Sequence, residues 1–151
     1  MGYAAATTEL DGGVKDGRYQ YVLMDAVKIV KGSLVCSDAA NGYATSAAPT
    51  ASRPFLGVAL ETKDNSDGNA GDLGIRVDTE GVHYFKDTVD THNQALVGKE
   101  AYWDDSADSD SQTVSIADQG LGAKVGRIRE FDTTYVGVCI TGYAWQVDGQ
   151  S

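Results

Sequence analysis

"DNSDGNAGDLGIRVD", residues 64–78, sets two kinds of chain side by side. Residues 64–72 are rich in Asp, Asn and Gly and hold no large apolar side chain. From Leu73 the chain alternates. Leu73, Ile75 and Val77 point one way, and Gly74, Arg76 and Asp78 point the other. A period of two is the pattern of a strand with one buried face. Upstream, "FLGVALE" puts Leu56, Val58 and Leu60 on one face and Phe55, Gly57 and Ala59 on the other, so both of its faces read as covered. A polar, glycine-rich loop between two such runs has the composition of a wide hairpin connection.

The loop also invites a calcium reading, which its spacing does not support. An EF-hand-like loop needs oxygen ligands at positions 1, 3 and 5, Gly at 6 and Glu at 12. With Gly68 at position 6, Lys63 falls on position 1; with Gly71 there, Ser66, Gly68 and Ala70 fall on the three ligand positions. The second acidic stretch, "WDDSADSDSQ" (residues 103–112), comes closer. Asp104, Ser106 and Asp108 take positions 1, 3 and 5, but Ser109 and Ser115 stand where Gly and Glu belong. A solvated loop is the default there, and an irregular calcium site at Asp104–Asp110 stays open.

Outward from this region the strand pattern repeats. "YVGVCI" puts Val136, Val138 and Ile140 together, opposite Tyr135, Gly137 and Cys139. "AVKIV", "SLVCS", "VHYFK", "EAYW", "QTVSI" and "AKVGRI" read as further short strands. Turn signals stand at Lys31-Gly32, Asn41-Gly42, Glu80-Gly81 and Gly120-Leu121-Gly122, and no segment keeps a helical period. The expectation is an all-β chain, a small barrel or sandwich of about ten short strands. Residues 18–151 read as one barrel domain. Residues 1–17, small, polar and Gly-rich, read as an N-terminal arm with Tyr3 and Leu10 as its main apolar side chains.

The 151 residues carry 12 basic and 22 acidic side chains, a net charge of -10. The excess is local: residues 61–110 hold 13 acids and 4 bases. Such a surface repels nucleic-acid backbones and anionic lipid, so neither nucleic acid nor membrane is an expected partner. No apolar run is long enough to span a bilayer, and "MGYAAATTEL" lacks the pattern of a signal peptide. Cys36 and Cys139 lie in apolar strand patterns and read as packed free thiols.

Motifs for chemistry are missing. There is no G-x-S-x-G elbow, and Gly98-Lys99 is followed by Glu100 without the glycine that a phosphate loop requires. His83 sits in a strand pattern and His92 in the polar stretch "DTHNQ", with no matching third ligand for a metal. No catalytic residue, metal or cofactor is expected. The tail "TGYAWQVDGQS" alternates Tyr143, Trp145 and Val147 with Gly142, Ala144 and Gln146. It is either a last strand closing the core or an aromatic strand that packs on another subunit.

The order of these pieces resembles a family of small phage proteins that decorate or cement the capsid. "KGSLV" (residues 31–35) is similar to the family's K-G-x-x-V strand, and "RPFLGVALE" (residues 53–61) to its F-x-G-V-A strand. The Asp/Gly loop with "IRVDTEGV" (residues 75–82) resembles its loop and R-V-x-x-x-G-V segment. "VGKEAYWDD" (residues 97–105), "KVGRIRE" and "YVGVCI" resemble its later strands. The likeness runs from about Val27 to Ile140 and omits the arm and the tail. It implies a β-barrel, usually a homotrimer, seated on the outer capsid surface of the virion after assembly in the host cytoplasm. The partner would be the major capsid protein, and no catalysis or cofactor is implied. Tyr3, Leu10, Tyr143 and Trp145 are the expected subunit or capsid contacts. The competing expectation is a ligand- or sugar-binding β module of a phage fibre or surface protein, in which exposed aromatic faces take carbohydrate.

Overall fold

Val136, Val138 and Ile140 are buried along one face of a strand, as their spacing requires, and the same rule builds most of the molecule. The computed structural model describes residues 18–38, 40–47, 54–88, 91–104, 112–117 and 124–141. Among these the chain forms β1 (Tyr19–Leu23), β2 (Lys28–Ile29), β3 (Leu34–Ser37), β4 (Ala44–Thr45), β5 (Phe55–Ala59) and β6 (Lys63–Asp64). It continues through β7 (Gly74–Asp78), β8 (Glu80–Asp87), β9 (Glu100–Trp103), β10 (Thr113–Ser115), β11 (Lys124–Phe131) and β12 (Val136–Thr141). Among the described residues a 3-10 turn, Gln94–Leu96, starts at Asn93, whose side chain accepts a hydrogen bond from the Ala95 N–H. The fold is all-β, as expected. Residues 1–17, read as an arm, lie outside the described residues, as does the tail beyond Thr141.

The strands divide into two bodies of pairing. An open sheet runs β1-β7-β5-β3-β4, and a closed barrel runs β10-β8-β12-β11-β9, with β2 and β6 forming a short ribbon. The barrel is antiparallel except where β10 meets β8 in parallel. Closure leaves each barrel strand with a neighbour on both sides, which removes free edges.

The two bodies share one chain crossing and one core. Only Thr79 separates β7 in the open sheet from β8 in the barrel. Its N–H and its hydroxyl both donate to the Arg18 carbonyl, at 2.7 and 2.7 Å. Glu80-Gly81, read above as a turn, is instead the start of β8, paired with Thr141 and Ile140. The change of direction is taken at Gly81, whose φ of 102° suits glycine.

Leu34, Cys36, Phe55 and Val58 of the open sheet pack into the barrel core with Phe85, Trp103, Val114, Val125, Ile128, Val136 and Val138. On the sheet's other side Met24, Ile29, Val35, Ala44, Ala59, Ile75 and Val77 form a second core. The strands β3 and β5 are thus covered on both faces, as "FLGVALE" suggested. One detail differs. Phe55 and Val58, three apart, share a core, because the β3–β5 register slips between Val35 and Cys36. Gly57 sits opposite that slip at φ 147°, and a Cβ there would come 2.5 Å from the Asp78 carbonyl oxygen.

The 64–72 loop is more than a hairpin turn. It carries β6 out to pair with β2 before the chain returns as β7. Buried Asn65 organises it, donating to the carbonyls of Asp25 and Asn69 at 3.1 and 2.9 Å. Asp64 Oδ1 accepts from the Ser66 N–H, and Asp72 Oδ2 from the Asn69 N–H. These carboxylates serve as turn caps.

Candidate interaction surface

Along β1 the side chains alternate between half-buried and exposed. Val22 packs against the second core, while Tyr19, Tyr21 and Leu23 stand outward, 52, 63 and 49% exposed. β1 is the end strand of the open sheet, with β7 as its strand neighbour. Three large apolar residues in a row on one face are an unusual use of solvent-facing surface.

Neighbouring groups hold the row in place. The Tyr21 ring lies over Gly74, so closely that a Cβ on Gly74 would collide with it. Glycine here makes room for the ring on β7. The Arg18 guanidinium lies 5.4 Å from the centre of the Tyr19 ring, within cation–π range. Arg18 is itself anchored, Nε to Asp78 Oδ1 at 3.2 Å and Nη2 to Asp78 Oδ2 at 3.3 Å. The Asp78 hydrogen bonds, then its charge, raise the Arg18 pKa above its ordinary value. His83 Nε2 sits 3.1 Å from Asp78 Oδ2. Asp78 is therefore not on a solvent face, as the alternation of residues 73–78 suggested. It is buried at the junction of the two bodies, and Leu73, just before β7, is the exposed member of the apolar set.

The barrel wall has a second outward pair. Val82 and Tyr84 on β8 flank Gly137 on β12, where an added Cβ would meet Glu130, Val82 and Tyr84 within 2.8–3.2 Å. A hydrogen bond with Glu130, then burial, raises the Tyr84 phenol. Farther round, Glu100 on β9 accepts from the Tyr102 hydroxyl at 2.7 Å and pairs with Lys124 at 3.3 Å. Cys36 is buried and Cys139 half-buried, and the two are not joined by a disulfide.

One buried pair looks like part of a catalytic apparatus. His92 Nε2 is 2.9 Å from Asp87 Oδ1, as in the base and orienter of a triad. Its other nitrogen faces the Asp132 main-chain carbonyl at 2.6 Å instead of a hydroxyl or thiol. Among the described residues neither ring nitrogen thus faces a hydroxyl or thiol.

The sequence-predicted contacts Tyr3, Leu10, Tyr143 and Trp145 all lie outside the described residues. So does most of the candidate calcium stretch; Asp104 is described and is buried, its N–H donating to the Thr113 carbonyl. Among the described residues no group of three or more His, Cys, Asp or Glu side chains is placed to hold a metal ion. None of their helices is long and apolar enough to cross a membrane. The outward row on β1 was missed by the sequence reading, although "YQYVL" carries its signal: period two with both aromatics on one phase. No protein-family model matches the chain, and no curated protein matches it.

Proposed function

We propose that this chain is a structural decoration protein, which seats on the outer surface of an expanded phage head and stabilises the lattice of the major capsid protein. The observation that carries this reading is the row Tyr19, Tyr21 and Leu23 on the end strand of the open sheet. Aromatic side chains dominate the cores of protein interfaces, because they bury large area at low cost in side-chain entropy. The order of family-like strands from Val27 to Ile140 supports the same reading. In this proposal the protein acts as a homotrimer without a cofactor. Many modest contacts repeated by lattice symmetry replace one tight site. The acidic surface stays in solvent and keeps copies from stacking on one another.

The test is co-sedimentation of the purified protein with expanded and unexpanded phage heads. Saturable binding to expanded heads alone is expected, and its stoichiometry gives the number of copies per lattice position. Replacing Tyr19, Tyr21 and Leu23 together by Ser should abolish that binding while leaving the circular dichroism of the barrel unchanged. Binding to neither head form overturns the proposal. A glycan signal from the isolated protein would then favour the sugar-binding module.

A further inference from the structure

His92 sits where separately placed pieces of chain meet. Its Nε2 is 2.9 Å from Asp87 Oδ1, at the end of β8. Its Nδ1 is 2.6 Å from the main-chain oxygen of Asp132, in the turn between β11 and β12. Both neighbours are acceptors. A neutral imidazole has one N–H, so it satisfies one of them and turns a lone pair on the other. The imidazolium donates to both.

The surroundings make that difference large. The side chains of His92 and Asp87 are 5 and 2% exposed. The second oxygen of Asp87, Oδ2, is buried without a hydrogen-bond partner among the described residues. A buried carboxylate with one oxygen unpartnered depends on a nearby cation. Two charged groups face the ring, Asp87 from β8 and Asp132 from the turn, and both are acidic. Phe131, on β11, meets the ring edge-on at 6.5 Å and adds an apolar wall. Gln94, Ala95 and Leu96, which follow in the 3-10 turn, bring no charge. Asp132 is fixed in turn, its Oδ1 accepting from the N–H groups of Thr134 and Tyr135 at 2.7 and 2.7 Å.

We propose that His92 is a proton-operated latch: protonated, it fastens the end of β8 to the β11–β12 turn, and on losing its proton it can hold only one of the two and that end of the barrel loosens. The direction of its titration agrees. The Asp87 hydrogen bond first, and the Asp132 main-chain bond second, hold the imidazole above the ordinary value of 6.5, against the opposing effect of burial. A group raised in the folded state contributes its full stability below its unfolded pKa and loses it as pH rises through the folded one. The latch is therefore closed in acid and opens on the alkaline side of 6.5. It does not rest on attachment to a capsid.

The experiment is a pH series on the full chain, following the imidazole nitrogens by NMR and thermal unfolding in parallel. At about pH 6 the His92 ring should carry protons on both nitrogens, with a titration midpoint above that of a free histidine. His92→Gln should melt several degrees below wild type at about pH 6 and converge with it at about pH 9. His83→Gln, which removes the chain's other histidine, should keep the alkaline loss. Asp87→Asn should bring the His92 midpoint down. A ring that is neutral at about pH 6 overturns the latch. So does a gap between wild type and His92→Gln that is independent of pH, or a midpoint that Asp87→Asn does not move. Should His92→Gln fail to fold, the wild-type ring titration and Asp87→Asn decide the matter.

Discussion

The barrel and the open sheet are each built of five strands, and they spend those strands differently. In the barrel every strand is paired on both sides. Its outer wall is tied by polar contacts, Glu100 to Tyr102 and Lys124 on one side and Tyr84 to Glu130 on another. The open sheet buries both faces of β3 and β5 and ends at β1 and β4, which meet through the bridge from Met24, just after β1, to Ala44. At β1 it presents Tyr19, Tyr21 and Leu23 to solvent. Closure removes edges from one half of the molecule, and the other half has the end strand and aromatic face that a binding surface needs.

The strongest way to break this division is to open the barrel core. Trp103 is fully buried there, and Trp103→Ala should cost about 3–5 kcal/mol in urea unfolding. Ile75 is equally buried but belongs to the second core, and Ile75→Val should cost about 0.5–1.5 kcal/mol. A single unfolding transition for both variants would show that the shared residues Leu34, Cys36, Phe55 and Val58 make the two bodies one cooperative unit. Two separated transitions in Trp103→Ala would show that the open sheet outlives the barrel.

The joint between the bodies comes next in size. Asp78 is buried and receives Arg18, His83 and the Glu80 N–H. Asp78→Ala strips these donors of their acceptor and should cost about 1–3 kcal/mol. Amide exchange should rise in β1 and β7 more than in β11 and β12. Equal rises everywhere would mean that the joint supports the whole fold instead of the sheet end. Smaller still on stability is the outward row itself. Tyr19→Ser and Leu23→Ser should each change unfolding by no more than about 0.5 kcal/mol. Tyr21→Ser should exceed them, because its ring covers Gly74.

The contrast between the halves also explains what was legible in the sequence. Apolar alternation marks a strand wherever one face is buried, so "YVGVCI", "EAYW" and "LGIRVD" read correctly as β12, β9 and β7. Alternation says nothing about which sheet a strand joins. Thr79 therefore gave no sign that β7 and β8 belong to different bodies, and Gly81 looked like a turn. The polar positions hid their roles for the same reason. Asp78 falls on the polar phase of its strand, yet it is buried at the end of β7, where the chain passes into β8. His92 lies in "DTHNQ", a polar run without a period, and its partners Asp87 and Asp132 are brought to it by barrel closure. The two-residue strands β2, β4 and β6 are too short to carry any period.

A further small effect separates the two halves at acid pH. Glu100, on the barrel wall, is held below the ordinary carboxyl value by the Tyr102 hydroxyl first and then by Lys124, against burial. Asp64, in the β6 loop beside the open sheet, is also lowered, by the Ser66 hydroxyl first and then its N–H. A lowered carboxyl contributes stability above its unfolded pKa and loses it as pH falls through the folded one. Both groups therefore weaken the fold on the acid side, opposite in sign to His92. Glu100 links β9 to β11 across a closed wall, so its loss is felt by the cooperative unit. Screening at its partly exposed site keeps the effect below about 1 kcal/mol. Asp64 is solvated and caps a turn that can open alone. Glu100→Gln should thus flatten the acid limb of a pH series of urea midpoints, and Asp64→Asn should leave it nearly unchanged. The reverse result would place acid sensitivity in the loop and remove the barrel's claim to be the half that sets stability.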